Sequence, residues 1–335
     1  MLLINNDNTN PYFNFALEEY LLKKTDKDLF RLWMCDPCVS VGKNQNTISE
    51  INSDYVRKNS IPIVRRQSGG GAVFHDLGNL NFTFISCNNN SFSDFKRFTQ
   101  PIIDLLKTLG INAEFSGRND LLIDGKKFSG NAQYNYKNKV IHHGTLLFSS
   151  QISNLSNALK VKPIKLESKG IKSVKSRVTN ISEHLDKPMN ISEFRDLVMN
   201  YVFSLNSNNS YFNLTEKDIE NVNKLSKEKY STWEWNFGNS PNYSLVNELR
   251  YIGGTLEFHL NVSKGFITDI KFFGDFFGKK DISNVEDLLI GVKHEEESLK
   301  EKLNNINIDD YFLGSDVNVL VSGILGAKQP ISLSN

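Results

Sequence analysis

Residues 65–76 read RRQSGGGAVFHD and place three consecutive glycines behind two arginines. Ile61, Ile63 and Val64 precede this run and predict a short strand that ends at the arginines. Because glycine has no Cβ, residues 69–71 can take positive φ angles and let the backbone approach a ligand closely. Successive N–H groups in such a turn, with Arg66 beside them, favour binding of an anion such as phosphate. A plain turn with solvated arginines is the alternative, since the run matches neither common phosphate-binding fingerprint.

Size and composition indicate a globular protein with two domains. The 335 residues exceed what one hydrophobic core usually supports, and we expect domains at residues 1–246 and 247–335. A net charge of +1 and an aromatic fraction of 11% do not favour a basic surface for nucleic acid. No stretch approaches the roughly 20 apolar residues of a membrane span, and three cysteines are too few for a disulfide framework. We therefore expect a cytoplasmic protein without nucleic-acid or membrane partners.

The apolar pattern of the first domain predicts an α+β fold. Alternating segments predict strands, and Asp124-Gly125 and Asn138-Lys139 are expected to form hairpin turns. Because strands and helices do not alternate strictly, we expect a mixed sheet with helices mostly on one face. Helical spacing recurs in four segments: 13–21, 95–109, 191–205 and 216–229.

The second domain carries its own pattern of strands and helices. Alternation over residues 256–272 predicts a hairpin. Ser283 and Glu286 have the spacing of a capping box, which predicts a helix from there to about Asn304.

A second group of polar residues follows the glycine run, as GRND at 117–120 and GKKFSG at 125–130. A hairpin between these motifs would bring Asp120 and Lys127 into one pocket. Lys127 can balance negative charge on a carboxylate and a phosphate, and Asp120 can hold Mg²⁺. A solvated lysine and a turn aspartate are the alternative.

Three further segments carry polar or sulfur groups. In HHGT at 142–145, neighbouring strand residues point to opposite faces, so we expect one histidine to face a pocket. Residues 173–180 read SVKSRVTN, which is either a solvated loop or a segment that closes over a ligand through Arg177. Cys35 and Cys38 have the spacing of half a zinc or redox site, but without a second pair they are interpreted as small buried hydrophobes.

Taken together, these motifs resemble the lipoate-protein ligase A family, within the biotin and lipoate protein ligases. The family pattern R-R-x-S-G-G-G-A-V-x-H-D-x-G-N appears at residues 65–79. Motifs in the family's order cover roughly two thirds of the chain. The later ones are GRND at 117–120, K-x-S-G at 127–130, HHGTL at 142–146, SRVTN at 176–180 and WEWNFG at 233–238.

The resemblance implies a large mixed-sheet catalytic domain of the biotin/lipoate ligase fold, related to class II aminoacyl-tRNA synthetases, and a small α+β accessory domain. It implies that lipoate and ATP, with Mg²⁺, form lipoyl-AMP and pyrophosphate. The lipoyl group would then pass to a lysine of a lipoyl carrier domain. The implied carriers are acyltransferase subunits of 2-oxoacid dehydrogenases and the glycine cleavage H protein, and the enzyme would be a monomer.

The resemblance also assigns roles to residues. Lys127 would be the catalytic residue that contacts the lipoate carboxyl and the α-phosphate, and Asp120 would hold Mg²⁺. The residues expected at ATP or the adenylate are Arg66, Gly71, Ala72, Val73, Phe74, Lys127, Ser176, Arg177 and Val178. The residues expected at lipoate are Arg66, Ser68, Gly70, Gly71, His75, Lys127 and His143.

Two other functions remain open from the sequence. An octanoyl or lipoyl transferase of the same fold would take its acyl group from a thioester through a cysteine, with Cys87 as the candidate, and would need no ATP. A non-catalytic module would bind lipoate or a lipoyl domain without activating either.

Overall fold

The computed structural model divides the chain into two compact units. The first comprises Met1–Lys43 with Ile61–Thr232, and the second Asn44–Ser60 with Trp233–Asn335. Arg118 and the segment 173–176, which includes Ser176, lie outside the described residues, and the domain boundary at 246/247 stays a prediction. The structure describes residues 1–87, 92–117, 119–159, 177–240, 243–274, 276 and 278–326.

The strands of the described part are numbered in chain order. They are β1 Leu2–Asn5, β2 Leu29–Trp33, β3 Cys38–Val41, β4 Ile63–Arg65, β5 Val73–His75, β6 Asn79–Ser86, β7 Ala113–Ser116, β8 Asp120–Ile123, β9 Lys126–Tyr136, β10 Lys139–Leu147, β11 Ser210–Tyr211, β12 Tyr243–Tyr251, β13 Gly254–Ser263 and β14 Phe266–Gly274.

The helices of the described part match most of the helical spacing in the sequence. Within that part no helix is long and apolar enough to cross a membrane. Turns of 3-10 type span Ile181–His184 and Ile308–Asp310, and π-turns span Ser226–Tyr230 and Glu234–Gly238. The α-helices are Pro11–Lys24, Thr47–Glu50, Ser53–Lys58, Phe95–Thr108, Ile152–Ala158, Ile191–Ser204, Glu216–Leu225, Ser283–Leu289, Glu296–Leu303 and Val317–Leu325.

The first unit is built on a mixed eight-stranded sheet in the order β11-β1-β2-β6-β10-β9-β8-β7. The pairs β11–β1 and β1–β2 are parallel, and the remaining pairs are antiparallel. Helices Phe95–Thr108 and Ile191–Ser204 share a core with the buried side chains of this sheet, including Phe82 and Leu121. The predicted α+β class is confirmed.

The glycine-rich segment lies between strands of a second, three-stranded sheet in the order β4-β3-β5. Strand β4 is parallel to β3, and β5 is antiparallel to it on the other side. Residues 66–72 therefore cross from one edge of this sheet to the other, past the end of β3. Because β3, β4 and β5 are almost entirely buried, both ends of the segment are fixed by packing.

The two predicted hairpins are present, but the turn of the second one lies one residue earlier than expected. Asp124 and Gly125 have φ of 50° and 74° and form the turn between β8 and β9. The next turn is centred on Lys137, with φ of 54°, and Asn138, so that Lys139 already opens β10. The prediction for that turn was therefore wrong by one residue.

The second unit contains the antiparallel sheet β12-β13-β14, and the predicted hairpin at 256–272 is confirmed. The predictions of a capping box at Ser283 and of one long helix after it are wrong. Glu286 accepts hydrogen bonds from Lys271 Nζ and, at 3.1 Å, from the N–H of Phe272, so it fixes the helix to the sheet instead of capping it. Gly291, with φ of 78°, separates helix Ser283–Leu289 from helix Glu296–Leu303.

Candidate active site

The Arg66 side chain lies inside the glycine-rich segment and binds its backbone. Nη2 donates to the carbonyls of Gly69 at 2.7 Å and Gly71 at 2.8 Å, and Nη1 donates to the carbonyl of Ser40 at 3.2 Å. Nε donates to Ser68 Oγ at 3.1 Å. Burial lowers the pKa of Arg66 to about 10, which leaves it charged at neutral pH. Arg66 therefore folds the segment around itself, and its direct contact with a phosphate stays a prediction.

The glycines of this segment serve two different purposes. Gly70 has φ of 93°, a left-handed conformation that favours glycine. Its carbonyl oxygen packs against Gly42, where an added Cβ on residue 42 would lie only 2.2 Å from that oxygen. Gly69 and Gly71 have no atom within 4 Å of an added Cβ. Close packing thus fixes the turn at Gly70, while the backbone at Gly69 and Gly71 faces open space that a ligand can enter.

Lys127 reaches Asp120 because the pairing of β8 and β9 is irregular. Leu122 pairs with Lys127, and Phe128 is the extra residue of a bulge. In regular pairing Lys127 would lie opposite Ile123, whose face is buried. The bulge instead puts Lys127 on the same face as Asp120, with 2.7 Å between Nζ and Oδ1. Both side chains are more than a third exposed, so a ligand can approach the pair.

The backbone around Lys127 is held by a segment from much later in the chain. The N–H of Lys127 donates to the carbonyl of Arg177 at 2.9 Å, and the N–H of Thr179 donates to the carbonyl of Lys127 at 3.0 Å. Val178 pairs with Lys127 in a parallel bridge. The structure therefore brings the backbone of Arg177 and Val178 to Lys127, while Ser176 lies outside the described residues.

A buried chain of hydrogen bonds continues from Arg66 through Ser68 to His143 and Glu18. Ser68 Oγ lies 2.6 Å from His143 Nε2, and His143 Nδ1 lies 3.1 Å from Glu18 Oε2. Arg66 Nε also donates to Ser68 Oγ, so this hydroxyl links the guanidinium to the imidazole of His143. Burial alone would raise the pKa of Glu18, but the interactions with His143, the hydrogen bond of Thr83 and the charge of Arg31 together lower that pKa.

His75 forms the neighbouring wall. Its Nδ1 lies 3.1 Å from Asn79 Nδ2, and the rings of Phe15 and Trp33 have centroids 6.2 and 6.1 Å from the imidazole. Burial, followed by the charges of Arg66 and His143, lowers the pKa of His75 to about 3. The imidazole is therefore neutral at physiological pH.

His142 points away from this network into the core. Its ring stacks between Phe82 and Phe98, with centroids 5.8 and 4.9 Å away. Burial holds the pKa of His142 well below its usual range. The expectation that the two adjacent histidines face opposite sides of β10 is confirmed.

The structure thus forms two groups from the expected site residues. Arg66, Ser68 and His143 share one hydrogen-bond network with His75 beside it, and Lys127 with Asp120 and the backbone of Arg177 forms the other. The sheet connects them, because the N–H of Gly130 donates to Thr145 Oγ1 at 3.1 Å, two residues along β10 from His143. Ala72 and Val73 are half-buried at the start of β5, and Phe74 is buried behind them.

Asp120 is the residue that the resemblance assigns to Mg²⁺. Over the residues that the structure describes, no three His, Cys, Asp or Glu side chains form a metal-binding group. Mg²⁺ bound together with substrate phosphates needs only one or two protein carboxylates, because phosphate oxygens and water complete its octahedron. Asp120 is partly exposed and fits that mode, although it does not form a metal site of its own.

Sequence reasoning missed Glu18, which closes the hydrogen-bond network behind His143. Glu18 lies four residues after Asn14 on helix Pro11–Lys24, and both side chains are buried although they are polar. Two polar side chains at i and i+4 around the apolar stretch Phe15–Leu17 were the signal that could have identified it.

The cysteines take no visible part in either group. Cys35 and Cys38 are free and buried, in keeping with the interpretation as small hydrophobes. Cys87 follows β6 and contacts Asp28 and Thr25. Burial and the Asp28 charge raise the pKa of the Cys87 thiol, which is opposite to the shift that an activated nucleophile needs.

Known proteins match most of the chain. The family described as lipoyl protein ligase A/B catalytic domain matches residues 10–203, and the bacterial lipoate protein ligase C-terminus matches residues 240–324. Lipoate-protein ligase LplJ of Bacillus subtilis (strain 168) is 49% identical over 318 residues, covering 93% of this chain and 96% of its own.

Two solved structures extend the match to three dimensions. A bipartite lipoate protein ligase from Thermoplasma acidophilum, described with its E2 lipoyl domain, has a TM-score of 0.63 at 31% identity. The match covers 71% of this chain and 96% of that one. A lipoate-protein ligase A bound with ATP has a TM-score of 0.61 at 29% identity, covering 71% and 98% of the two chains. The resemblance seen in the motifs is confirmed, and the chain belongs to the lipoate-protein ligase family.

Proposed function

We propose that this chain is an ATP-dependent lipoate-protein ligase that forms lipoyl-AMP and then lipoylates a lysine of a carrier domain. The observation that carries the proposal is the Lys127 ammonium, held 2.7 Å from the Asp120 carboxylate by the bulge in β9. This position lies at the backbone of Arg177 and Val178, which the motifs associate with the adenylate. A fixed cation that already binds a carboxylate is suited to bind a substrate carboxylate and a phosphate instead.

In the first half-reaction, the lipoate carboxylate attacks the α-phosphorus of ATP. A bond forms between the carboxylate oxygen and phosphorus, and the bond to the pyrophosphate oxygen breaks. Lys127 orients the carboxylate and balances negative charge as it moves, while the exposed backbone at Gly69 and Gly71 accommodates the phosphate. Arg66 keeps that backbone in place through the carbonyls of the same two glycines.

Mg²⁺ is proposed as the companion of ATP, held by Asp120 and the phosphates. When bound, it supplies charge neutralisation at the phosphate oxygens. Asp120 would then release Lys127 from their ion pair, so that the ammonium becomes available to the lipoate carboxylate.

We assign the lipoyl chain to the side of the site lined by His75 and His143. Phe15 and Trp33 supply buried aromatic surface there, and neutral His75 introduces no charge into it. Ser68 and His143 supply polar atoms at the wall. An apolar lining with few polar groups is what a hydrocarbon chain that ends in a cyclic disulfide requires.

In the second half-reaction, the neutral amine of the carrier lysine attacks the acyl carbon of lipoyl-AMP. The new C–N bond replaces the C–O bond to AMP, and the amine proton is released to solvent. No enzyme nucleophile is required, which agrees with the raised pKa of Cys87. The enzyme's part is to exclude water from the mixed anhydride and to orient the amine.

The proposed carriers are acyltransferase subunits of 2-oxoacid dehydrogenases and the glycine cleavage H protein, and the proposed location is the cytoplasm. The described residues assigned to the site all belong to the first unit, so that a single copy of the chain holds them. We therefore propose a monomer with its accessory domain in the C-terminal region.

The test is lipoate-dependent exchange of pyrophosphate into ATP in the absence of a carrier. We expect Lys127→Ala to lower the exchange rate by about a hundredfold or more, the usual cost of losing one preorganised charge-stabilising donor. Lys126→Ala is the matched control, because Lys126 is the exposed neighbour on the same strand and should retain wild-type exchange.

Unchanged exchange in a folded Lys127→Ala variant would contradict the role of Lys127. Absence of exchange in the wild-type protein would contradict the ligase proposal itself. Transfer from an acyl thioester without ATP, lost on Cys87→Ala, would instead favour a transferase.

A further inference from the structure

Three lysines from different parts of the first unit converge beside the glycine-rich segment. Lys23 lies in the last turn of helix Pro11–Lys24, Lys43 follows β3, and Lys229 lies in the turn Ser226–Tyr230. Lys23 Nζ is 2.6 Å from Glu19 Oε1, and Lys229 Nζ is 2.6 Å from Glu19 Oε2. Lys43 Nζ stands 4.9 Å from the ring centroid of Tyr134.

This lysine cluster, Lys23, Lys43 and Lys229, borders the proposed adenylate site directly. Gln67 donates through Nε2 to Glu19 Oε2 at 2.5 Å, which ties the cluster to the segment 66–72. The N–H of Lys43 donates to the carbonyl of Ser68 at 2.8 Å. A group that approaches the site over this rim therefore passes the three lysines.

The cluster places three ammonium groups around the single carboxylate of Glu19. Burial lowers the pKa of Lys229; Glu19 opposes this shift, and the charges of Lys23 and Lys43 add to it. The positive charges of Lys23 and Lys43 thus act against that of Lys229, whereas the Glu19 carboxylate favours the charged forms of both Lys23 and Lys229. A partner that brings carboxylates to the rim would relieve this repulsion.

We propose that the lysine cluster is a docking surface for an acidic face of the carrier protein that presents its acceptor lysine to the site. This inference rests on the proposed ligase function. A protein surface suits the cluster better than a phosphate does. Lys23 and Lys229 bind the Glu19 carboxylate and Lys43 stands over the Tyr134 ring, so the ammonium groups are engaged at two different places instead of facing one shared anion.

The test compares two charge reversals of equal size. Lys43→Glu alters the cluster, and Lys217→Glu is the matched control on helix Glu216–Leu225, where the Lys217 side chain is 77% exposed. For each variant we would measure kcat/KM for the apo carrier domain, with lipoate and ATP saturating, at low salt and at about 0.5 M salt. Lipoate-dependent pyrophosphate exchange without the carrier reports adenylation and folding.

We expect Lys43→Glu to lower kcat/KM for the carrier by about tenfold at low salt and by much less at high salt, with exchange unchanged. Lys217→Glu should change neither quantity. Replacing carboxylates next to the acceptor lysine of the carrier by amides should produce a similar loss, and should add little to the loss of Lys43→Glu.

Unchanged kcat/KM for the carrier in Lys43→Glu would overturn the docking surface. A parallel fall in exchange would also overturn it, because the cluster would then act on ATP or pyrophosphate. Absence of exchange in the wild-type protein would overturn the ligase function on which the docking surface rests. This outcome is distinguished from failure of the docking surface alone, because exchange is measured before any carrier is added.

Discussion

Lys127 owes its position to two neighbours that carry no charge. Phe128 forms the bulge that turns the lysine to the face of Asp120. Gly130 leaves the space in which the lysine side chain lies, since a Cβ there would come within 2.9 Å of Nζ and 3.0 Å of Cε. The K-x-S-G motif is therefore one geometric unit, in which the glycine serves the lysine.

We expect Gly130→Ala to displace Lys127 and lower lipoate-dependent exchange by about ten- to hundredfold, because small misplacements of a catalytic group are costly. The free energy of unfolding should change by no more than about 1 kcal/mol, since the colliding atoms end a flexible side chain. Adding Gly130→Ala to Lys127→Ala should cause no further loss. Wild-type exchange in the single variant would disprove this coupling.

Buried His75 makes stability depend on pH. The pKa of His75 is about 3 in the folded chain, against its ordinary value of 6.5. As pH falls below 6.5, His75 binds a proton in the unfolded chain but not in the folded chain. The free energy of unfolding therefore decreases between pH 6.5 and 3. Chemical denaturation at pH 7.5 and 5.5 measures the free energy of unfolding at each pH. Between these two values it should fall by about 1.4 kcal/mol more in wild type than in His75→Gln. Equal losses would show that His75 is not held neutral.

At the scale of elements, the segment 177–180 is what completes the surroundings of Lys127. Thr179 binds Lys127 through its backbone, and its Oγ1 lies 2.8 Å from His184 Nε2 and 3.2 Å from Glu183 Oε2. The turn Ile181–His184 thus anchors the end of this segment. Its other end joins residues outside the described ranges.

We expect Thr179→Val to loosen this anchor, because it removes the hydroxyl and keeps the shape of the side chain. A decrease of about 1 kcal/mol in the free energy of local opening should make hydrogen–deuterium exchange of the Thr179 amide about fivefold faster. Thr108→Val is the control, since the Thr108 hydroxyl binds the carbonyl of Leu105 in its own helix. An unchanged Thr179 amide would show that the hydroxyl does not hold the segment.

For the molecule as a whole, local sequence patterns predicted helices and family membership better than they predicted tertiary contacts. Helical spacing located Phe95–Thr108, and motif order identified the family, because both are written in residue type and separation. The bulge at Phe128 depends on which residues pair across β8 and β9, which local spacing does not specify. Arg66 looked like a ligand for phosphate, yet its donors bind backbone carbonyls that only the folded turn brings together.

The most direct test of the account is to look for the adenylate itself. Wild-type protein incubated with lipoate, ATP and Mg²⁺, without a carrier, should accumulate enzyme-bound lipoyl-AMP with release of pyrophosphate, detectable by mass spectrometry of the quenched reaction. Addition of an apo carrier domain should then consume the adenylate and lipoylate one lysine. Lipoylation of the carrier without any lipoyl-AMP, or from a thioester in the absence of ATP, would contradict the account.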